Sequence, residues 1–366
     1  MDAPVKSGHG RPPVPALTGL RFVAASWVVM FHSRLADVLK LHHAAPLGHL
    51  VQHGELAVTL FFLLSGFVLA YNYRGRLQQR SMDRGFWEAR IARIWPAYVL
   101  SLVATSLAYW VWPPPLGMSA MTLLMVQGWV PGHPDWGGAW NLVCWTLSCE
   151  AFFYLVTPTL QRMQERLSTK GLYVSMALCM LLCVVMNGAG QSAFHFYTGI
   201  GRFVPLAVAR LPEFVIGMLC ANTLLLAPER KTWRVPDGTL TWVGLVVSLI
   251  LLMLDPLRYG VMLVPFTVLL YGLATESTLL GRVLGSRALV LGGGISYSMY
   301  LLQLPVKQLT RPGLALIGIH SDALALGLVP VILILVALPI FLYYEEPARH
   351  ALRSLFALRT AEHPSA

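Results

Sequence analysis

Two ionisable residues, Arg21 and His32, lie inside the first long apolar run of the chain, which covers residues 17–38. An α-helix turns by about 100° per residue, so eleven residues return to within about 20° of the starting direction and rise about 16 Å. We therefore expect both side chains on one face of a helix, with the arginine near one membrane surface and the histidine deeper. Ionisable groups at such depth usually face a bundle interior or a wet cavity and have a functional role.

Further charged residues lie in or beside later apolar segments. Arg90 and Arg93 are three residues apart at the start of one segment. They are either positive anchors that fix the topology or a site for the phosphates of a cytosolic donor, which bidentate guanidinium groups suit. Glu150 lies well inside the segment 141–160, where a lone carboxylate is hard to explain by structure alone. Glu345 lies near the end of the last apolar segment.

Other polar groups and the cysteines have simpler interpretations. Arg210 and Glu213, spaced i and i+3, predict an ion pair at the membrane interface. Tyr297 and Tyr300 follow the glycines of residues 292–294, which suggest the opening of a helix. The two tyrosines belong either to a site or to an aromatic belt. The five cysteines show no C-x-x-C spacing and are interpreted as small buried hydrophobic residues, so no metal site is predicted.

The composition indicates a polytopic membrane protein. Of the 366 residues, 56% are hydrophobic and 12% are charged, whereas about 25% are charged in soluble domains, and the mean hydropathy is +0.62. Apolar segments near the roughly 20 residues that a bilayer core requires are predicted at 17–38, 55–73, 91–112, 141–160, 172–188, 204–226, 239–255, 259–275, 289–306 and 324–344. The stretch 116–130 is short and flanked by prolines, so we expect a re-entrant or interfacial piece. The predicted fold is an all-α bundle of about ten transmembrane helices.

The positive charge of the chain is concentrated in alternate loops. The net charge is +10, and with ten spans 19 lysines and arginines fall on the side of the termini and six on the opposite side. Both termini are therefore predicted to be cytoplasmic. This distribution leaves no basic stripe for a nucleic acid, so the lipid bilayer is the expected partner. The predicted organisation is a disordered cytoplasmic tail (1–16), one membrane domain (17–348) and a cytoplasmic C-terminal tail (349–366).

An ordered series of motifs runs along essentially the whole chain. It comprises Arg21 and His32 in LTGLRFVAASWVVMFH, then FFLLSGF, Arg90 and Arg93 before IWPAY, Glu150 in WTLSCEAFFYLVTP, and finally ARLPEFVIGM and ISYSMYLLQLP. With this series the chain resembles the acyltransferase-three family of bacterial integral-membrane O-acyltransferases. The resemblance implies a protein of the bacterial cytoplasmic (inner) membrane.

The resemblance also implies a reaction. An acyl group, usually acetyl, would move from cytosolic acetyl-coenzyme A to a hydroxyl of a glycan, a lipid-linked sugar or another secreted polyol, with Arg21 and His32 central to activity. Glu345 matches the closing motif of the family and is assigned, like the two arginines that precede IWPAY, to donor binding. Two positions depart from the family pattern: Gln303 stands where histidine is common, so no acid–base role is expected there, and Glu346 replaces a basic residue.

The mechanism we expect from these residues is proton abstraction. A neutral imidazole at His32 takes the proton of the acceptor hydroxyl as that hydroxyl attacks the thioester, with a transient acyl-histidine as a variant route. Arg21 would hold the carbonyl or the phosphates of the donor, and Glu150 would fix the imidazole tautomer or balance Arg21. The alternative is a transporter that uses the same three residues to move a solute or a proton, although neither an inverted repeat nor paired broken helices supports it.

Overall fold

The computed structural model describes residues 11–38, 46–110, 114–131, 134–187, 203–226, 236–253 and 259–362, and within these ranges the regular secondary structure is entirely helical. The α-helices, in chain order, are α1 (Pro15–His32), α2 (Leu35–Val38), α3 (Pro46–Gln52), α4 (Leu56–Tyr73), α5 (Asp83–Tyr109), α6 (Leu116–Leu123), α7 (Pro134–Gly137), α8 (Trp145–Glu165), α9 (Thr169–Asn187), α10 (Leu206–Ala209), α11 (Leu211–Leu226), α12 (Thr239–Leu252), α13 (Leu263–Thr275), α14 (Leu279–Leu284), α15 (Arg287–Ala315), α16 (Asp322–Ile340) and α17 (Glu346–Glu362).

Each of the ten predicted apolar segments overlaps at least one of these helices. Six stretches of the described chain are long and apolar enough to cross a membrane, namely Leu56–Tyr73, Arg80–Tyr109, Leu142–Glu165, Leu206–Leu226, Arg287–Ala315 and Asp322–Ala357. Three more, Thr169–Val185, Thr239–Leu252 and Gly260–Thr275, are apolar but shorter. The chain is therefore an all-α membrane protein, and the count of ten spans stays a prediction.

The first predicted segment, 17–38, is wrong at its C-terminal end. Helix α1 ends at His32, and Arg34 then takes a left-handed conformation with φ of 55° before the short helix α2 begins. A non-glycine residue with positive φ interrupts a right-handed helix. His32 therefore lies at the end of the helix instead of deep within it.

Glycines let two pairs of helices approach closely. A Cβ atom on Gly293 of α15 would lie 2.1 Å from the carbonyl oxygen of Thr18 on α1. Gly66 of α4 and Gly217 of α11 each face a carbonyl oxygen of the other helix in the same way, at 2.0 Å. Small residues at membrane helix contacts allow such close packing. The prediction that the glycines of residues 292–294 open a helix is thus wrong, because α15 begins at Arg287 and these glycines form its contact with α1.

The stretch 116–130 does not form a membrane-crossing helix. Helix α6 is eight residues long, about 12 Å at 1.5 Å per residue, and a short 3₁₀ turn follows at Gln127–Trp129. The hydroxyl of Tyr98 on α5 donates a hydrogen bond to the carbonyl oxygen of Thr122 at 2.5 Å. This piece therefore packs against α5 without spanning the bundle.

Candidate active site

Five of the six predicted site residues lie at one end of the bundle. We call Arg21, Arg90, Arg93, Glu150 and Glu345 the charged cluster. Arg21 interacts electrostatically with Arg93, Glu150 and Arg90, and Arg93 forms an ion pair with Glu345. The sixth residue, His32, lies eleven residues further along α1, which corresponds to about 16 Å along the helix axis.

The Glu150 carboxylate is held inside the charged cluster. Its Oε1 atom accepts a short hydrogen bond from the hydroxyl of Tyr154, one turn later on α8, and a second from Oγ of Ser65 on α4 at 3.3 Å. Residues four apart on a helix are neighbours, so the E-x-x-x-Y spacing of Glu150 and Tyr154 was a signal that sequence reasoning passed over. The imidazole of His32 has a different partner.

The Arg93–Glu345 pair joins two distant parts of the chain. Glu345 is the last residue of a π-helical turn, Phe341–Glu345, between α16 and α17, and its side chain is 0% exposed. Its Oε2 atom accepts a hydrogen bond from Oγ of Ser298 on α15 at 2.6 Å. Single π turns inside α-helices are frequent at functional sites because they change the direction of the side chains that follow.

Arg90 lies among aromatic rings. Its guanidinium carbon is 5.8 Å from the ring centre of Tyr73 and 5.9 Å from those of Phe86 and Tyr154. Stacking on rings holds a guanidinium group in place without using its N–H donors. Within the described part of the chain, the Arg90 side chain has no hydrogen bond or ion pair, and its Nε is buried. Its donors are therefore available to a ligand.

Arg21 also lacks a protein partner for its donors within the described ranges, although its Nε atom is buried. The guanidinium group borders a cavity that is also lined by Glu150, Thr146, Tyr297 and Tyr300. A buried charge without a hydrogen-bond partner is costly. This cost is relieved if a carbonyl or phosphate oxygen of a ligand occupies the cavity.

His32 is positioned by Gln303, one turn after Tyr300 on α15. Nδ1 of His32 lies 2.9 Å from Oε1 of Gln303, whose Nε2 donates to the carbonyl oxygen of Tyr300 at 2.7 Å. Since the amide nitrogen of Gln303 is used in that bond, its oxygen faces the imidazole, and Nδ1 must carry the proton. Nε2 of His32 is then the basic nitrogen. Lys307 donates to the carbonyl oxygen of His32 at 2.6 Å and so caps the end of α1. We call His32, Gln303 and Lys307 the histidine site.

A separate pocket of about 340 Å³ adjoins the histidine site at the far end of α1. His32 and Phe31 line it together with Ala36, Val51 and Gln52. Because Arg21 and Glu150 of the charged cluster line a different cavity, His32 can be approached by a molecule that does not pass these two residues.

The prediction of an interfacial ion pair at Arg210 and Glu213 is half right. The two side chains pair at 2.9 Å, but they are 0% and 1% exposed, so the pair is in the core of the bundle. The guanidinium carbon of Arg210 lies 5.2 Å from the ring centre of Phe62 and 5.8 Å from that of Trp145. The pair therefore contributes to helix packing.

Sequence reasoning missed the parts played by Tyr297, Tyr300 and Gln303. The tyrosines are not an aromatic belt: both line the internal cavity, and the hydroxyl of Tyr297 donates to the carbonyl oxygen of Ile94 at 2.9 Å. Gln303 was expected to have no acid–base role, and it is the residue that orients His32. Their i, i+3 spacing along α15, which puts all three on one face, was the available signal. The described residues contain no group of three or more His, Cys, Asp or Glu side chains placed to hold a metal ion.

Comparisons with known proteins identify the family of this chain. A family described as an acyltransferase domain matches residues 14–344. The chain belongs to the acyltransferase-three family. The family's match thus runs from α1 to Tyr344 and includes the histidine site and every residue of the charged cluster except Glu345.

Two relatives of this acyltransferase extend the comparison. "Acyltransferase MdmB" of Streptomyces mycarofaciens is 28% identical over 316 residues, which are 80% of this chain and 79% of the relative. "Protein 2 in picA locus" of Rhizobium radiobacter is 40% identical over 96 residues, 26% of this chain and 44% of the relative. No solved structure matches the chain.

Proposed function

We propose that this acyltransferase moves an acetyl group from cytosolic acetyl-coenzyme A to a hydroxyl of a glycan or another polyol acceptor, with His32 as general base. The observation that supports this most is the pairing of His32 with Gln303, which leaves Nε2 as a basic nitrogen beside an open pocket. No metal ion is required by this scheme. The proposal thus has three parts: the donor is an acyl-coenzyme A, the group transferred is acetyl, and the product is O-linked.

The reaction begins with proton transfer to His32. Nε2 takes the proton of the acceptor hydroxyl as its oxygen attacks the thioester carbonyl, so that an ester bond forms and the carbon–sulfur bond breaks. The proton on the imidazole then passes to the departing thiolate of coenzyme A. Gln303 supports the base because its Oε1 accepts a hydrogen bond from the Nδ1–H group of His32 and so stabilises the orientation of the ring.

The charged cluster is the proposed donor site. Arg21 borders the internal cavity with unused donors, which suits the carbonyl oxygen or a phosphate of the donor. Arg90, with its unused N–H groups, offers a second contact, while Glu345 holds Arg93 in place and so shapes the site. Glu150 balances the positive charge of Arg21, with which it interacts electrostatically, and Gln303 instead of Glu150 fixes the tautomer of His32.

The separation of the two regions suits a donor and an acceptor on opposite sides of a membrane. Arg21 and Tyr300 both line the internal cavity, and the carbonyl of Tyr300 binds Gln303; in the proposed reaction the arm of a thioester that enters at the cluster would follow this side of α15 toward His32. The acceptor, a glycan, a lipid-linked sugar or a secreted polyol, would reach His32 through the pocket at the far end of α1.

The proposed location is the bacterial cytoplasmic membrane, with both termini and the charged cluster on the cytoplasmic side. The proposed organisation is a tail at 1–16, the membrane acyltransferase domain at 17–348 and a second tail at 349–366, of which 1–10 and 363–366 lie outside the described residues. Support comes from the distribution of lysine and arginine, 19 against six. Gln79 is exposed in the turn before α5, so Gln79→Cys, in a chain without its native cysteines, should resist membrane-impermeant thiol reagents in intact cells. Labelling of this cysteine from outside the cell would contradict the proposed topology.

The reaction is tested by thiol release. Purified protein in detergent, given acetyl-coenzyme A and a polyol acceptor, should release free coenzyme A thiol and gain an acetyl ester on the acceptor, detected by mass spectrometry. A transporter that used Arg21, His32 and Glu150 for solute or proton movement would release no thiol, and that result would end the proposal.

A further inference from the structure

A pocket rich in arginine lies on the surface beyond the charged cluster. We call it the arginine pocket; its volume is about 470 Å³, within the range of about 300–1,000 Å³ usual for ligand sites. Unlike a typical apolar ligand site, it is lined by charged and polar groups. The four arginines on its wall are Arg11, Arg74, Arg162 and Arg166.

The carboxylates of this region balance only part of that charge. Arg162 is paired with Asp83, with its two nitrogens 2.8 and 3.0 Å from the two carboxylate oxygens. Glu165 also lines the pocket, and its Oε1 accepts hydrogen bonds from the backbone N–H of Gly75 and from Nε2 of Gln161, both at 2.8 Å. These two acids face four arginines.

The remaining arginines bind neutral oxygens or none. Arg11 donates to the carbonyl oxygen of Tyr71 at 2.5 Å, and Arg74 donates to Oδ1 of Asn222 at 2.6 Å. The side chain of Arg166 is exposed and forms neither a hydrogen bond nor an ion pair within the described ranges. The pocket therefore has an excess of positive charge and guanidinium donors that can still bind an anion.

The pKa of Arg74 agrees with a site that can bind an anion. Burial lowers the pKa of its guanidinium group, Glu165 opposes this effect, and the positive charge of Arg11 lowers the pKa further. An anion placed between the two arginines would offset both the desolvation and the repulsion.

Residues next to the arginine pocket contact Arg90 of the proposed donor site. Tyr73, next to Arg74 in the chain, has its ring 5.8 Å from the guanidinium carbon of Arg90. On α8, Arg162 follows Tyr154 by eight residues, about 12 Å at 1.5 Å per residue, and Tyr154 also contacts Arg90. A ligand that extends from the pocket along α8 thus meets Arg90 next.

We propose that the arginine pocket binds the phosphate groups at the nucleotide end of the acyl donor, the 3′-phosphate and the 5′-diphosphate of an acyl-coenzyme A. This inference rests on the proposed function. Guanidinium groups bind phosphate oxygens bidentately, and several arginines match a ligand with several negative charges. An anionic phospholipid headgroup shares the phosphate but carries a single charge in a diester, and the test separates the two sources.

The first test measures binding of adenosine 3′,5′-bisphosphate by calorimetry, with the full chain in nanodiscs of phosphatidylcholine. Arg166→Gln should weaken this binding about tenfold, as expected for one charged hydrogen-bonding group, and Arg166→Lys should recover part of it. Arg287→Gln is the matched control, because Arg287 is an exposed arginine at the start of α15, outside the pocket. Equal affinity in wild type and Arg166→Gln overturns the inference.

The second test compares acetyl-coenzyme A with its 3′-dephospho form as donors. In Arg166→Gln the KM for acetyl-coenzyme A should rise about tenfold, and the rise should be smaller for the dephospho donor, which lacks one of the bound phosphates. If the wild type transfers the acyl group and Arg166→Gln has the same KM as the wild type, the phosphate site is overturned but the proposed reaction is not. If the protein binds the bisphosphate but transfers no acyl group, the phosphate site is supported and the proposed reaction is overturned.

The lipid source is tested in the same nanodiscs with phosphatidylglycerol added. The assignment to the donor holds if the bisphosphate binds at least as tightly as in phosphatidylcholine after the general surface charge is screened by salt. Loss of bisphosphate binding at high salt in the presence of phosphatidylglycerol, restored by its removal, would assign the pocket to a lipid headgroup and overturn the proposal.

Discussion

The charged cluster and the histidine site share helix α1, which holds both Arg21 and His32, but they are built differently. In the cluster, a buried carboxylate at Glu345 depends on its ion pair with Arg93. At the histidine site, His32 and Gln303 are joined by one hydrogen bond between uncharged groups. Removing one member of a buried ion pair leaves an uncompensated charge, whereas removing a neutral hydrogen bond costs far less. Variants of the Arg93–Glu345 pair should therefore change folding and donor binding together, whereas variants at the histidine site should change turnover alone.

The largest expected effect is on turnover, and it comes from a variant of His32. His32→Gln keeps the size of the side chain and some hydrogen bonding but accepts no proton, so acyl transfer should fall by about 10²–10⁴-fold. Donor binding by calorimetry and thermal unfolding in detergent should stay close to those of the wild type. Wild-type turnover in a well-folded His32→Gln protein would contradict the general-base role.

The next residue supplies the control for that variant. Ser33 lies about 100° around the helix from His32, and its hydroxyl donates to the carbonyl oxygen of Met30 at 3.0 Å. Ser33→Ala should therefore remain active. Loss of activity in both variants would show that the end of α1 is needed for structure instead of proton transfer.

The second largest effect concerns the Arg93–Glu345 pair. In Arg93→Ala, the carboxylate of Glu345 would stay buried without its ion-pair partner. The free energy of unfolding should fall by about 3–5 kcal/mol, measured by thermal or denaturant unfolding in detergent.

A double variant separates charge from packing at this pair. Arg93→Met with Glu345→Met replaces both partners by apolar side chains and should recover most of the lost stability, because no unpaired charge remains. It should not recover donor binding. Equal stability of wild type and Arg93→Ala would remove the distinction between the two regions.

Arg90 tests donor binding without a large stability cost. Its guanidinium group rests on three rings and has no ion pair in the described part of the chain, so Arg90→Ala should fold. Loss of a charge-assisted hydrogen bond costs about 1.5–3 kcal/mol, so the apparent KM for acetyl-coenzyme A should rise about tenfold or more. Arg90→Lys should recover part of the loss. Unchanged donor kinetics in Arg90→Ala would return this residue to the role of a topology anchor.

The smallest effect is expected at Gln303. Gln303→Met removes the acceptor for Nδ1 of His32 at nearly constant volume, and loss of one hydrogen bond worth about 1 kcal/mol should lower kcat about fivefold. The KM for the donor should not change. Gln303→Glu still offers an acceptor to Nδ1 and should retain more activity than Gln303→Met; the reverse order would argue against an orienting role.

The helical periodicity of α1 was enough to predict that Arg21 and His32 share a helix, and the positions of the apolar segments predicted most helices. Contacts between distant segments were not predictable in this way. Arg93 and Glu345 meet across more than half of the chain, and Gln303 reaches His32 from α15. Such contacts depend on which helices are neighbours, which a hydrophobic pattern does not specify. The end of α1 was missed for a similar reason, because its left-handed residue, Arg34, is not a glycine.

The close contact between α1 and α15 has a consequence for the choice of donor. The carbonyl oxygen of Thr18 would lie 2.1 Å from a Cβ atom on Gly293, so the two helices cannot slide or rotate past each other without a clash. The spacing between Arg21 and His32, about 16 Å along α1, therefore stays constant. A donor anchored at the charged cluster must present its acyl group at the end of a long arm, and a small activated acyl compound such as an acyl phosphate would be too short to span it. Under the proposed function, α1 would thus favour a donor with a long arm as well as a negative charge.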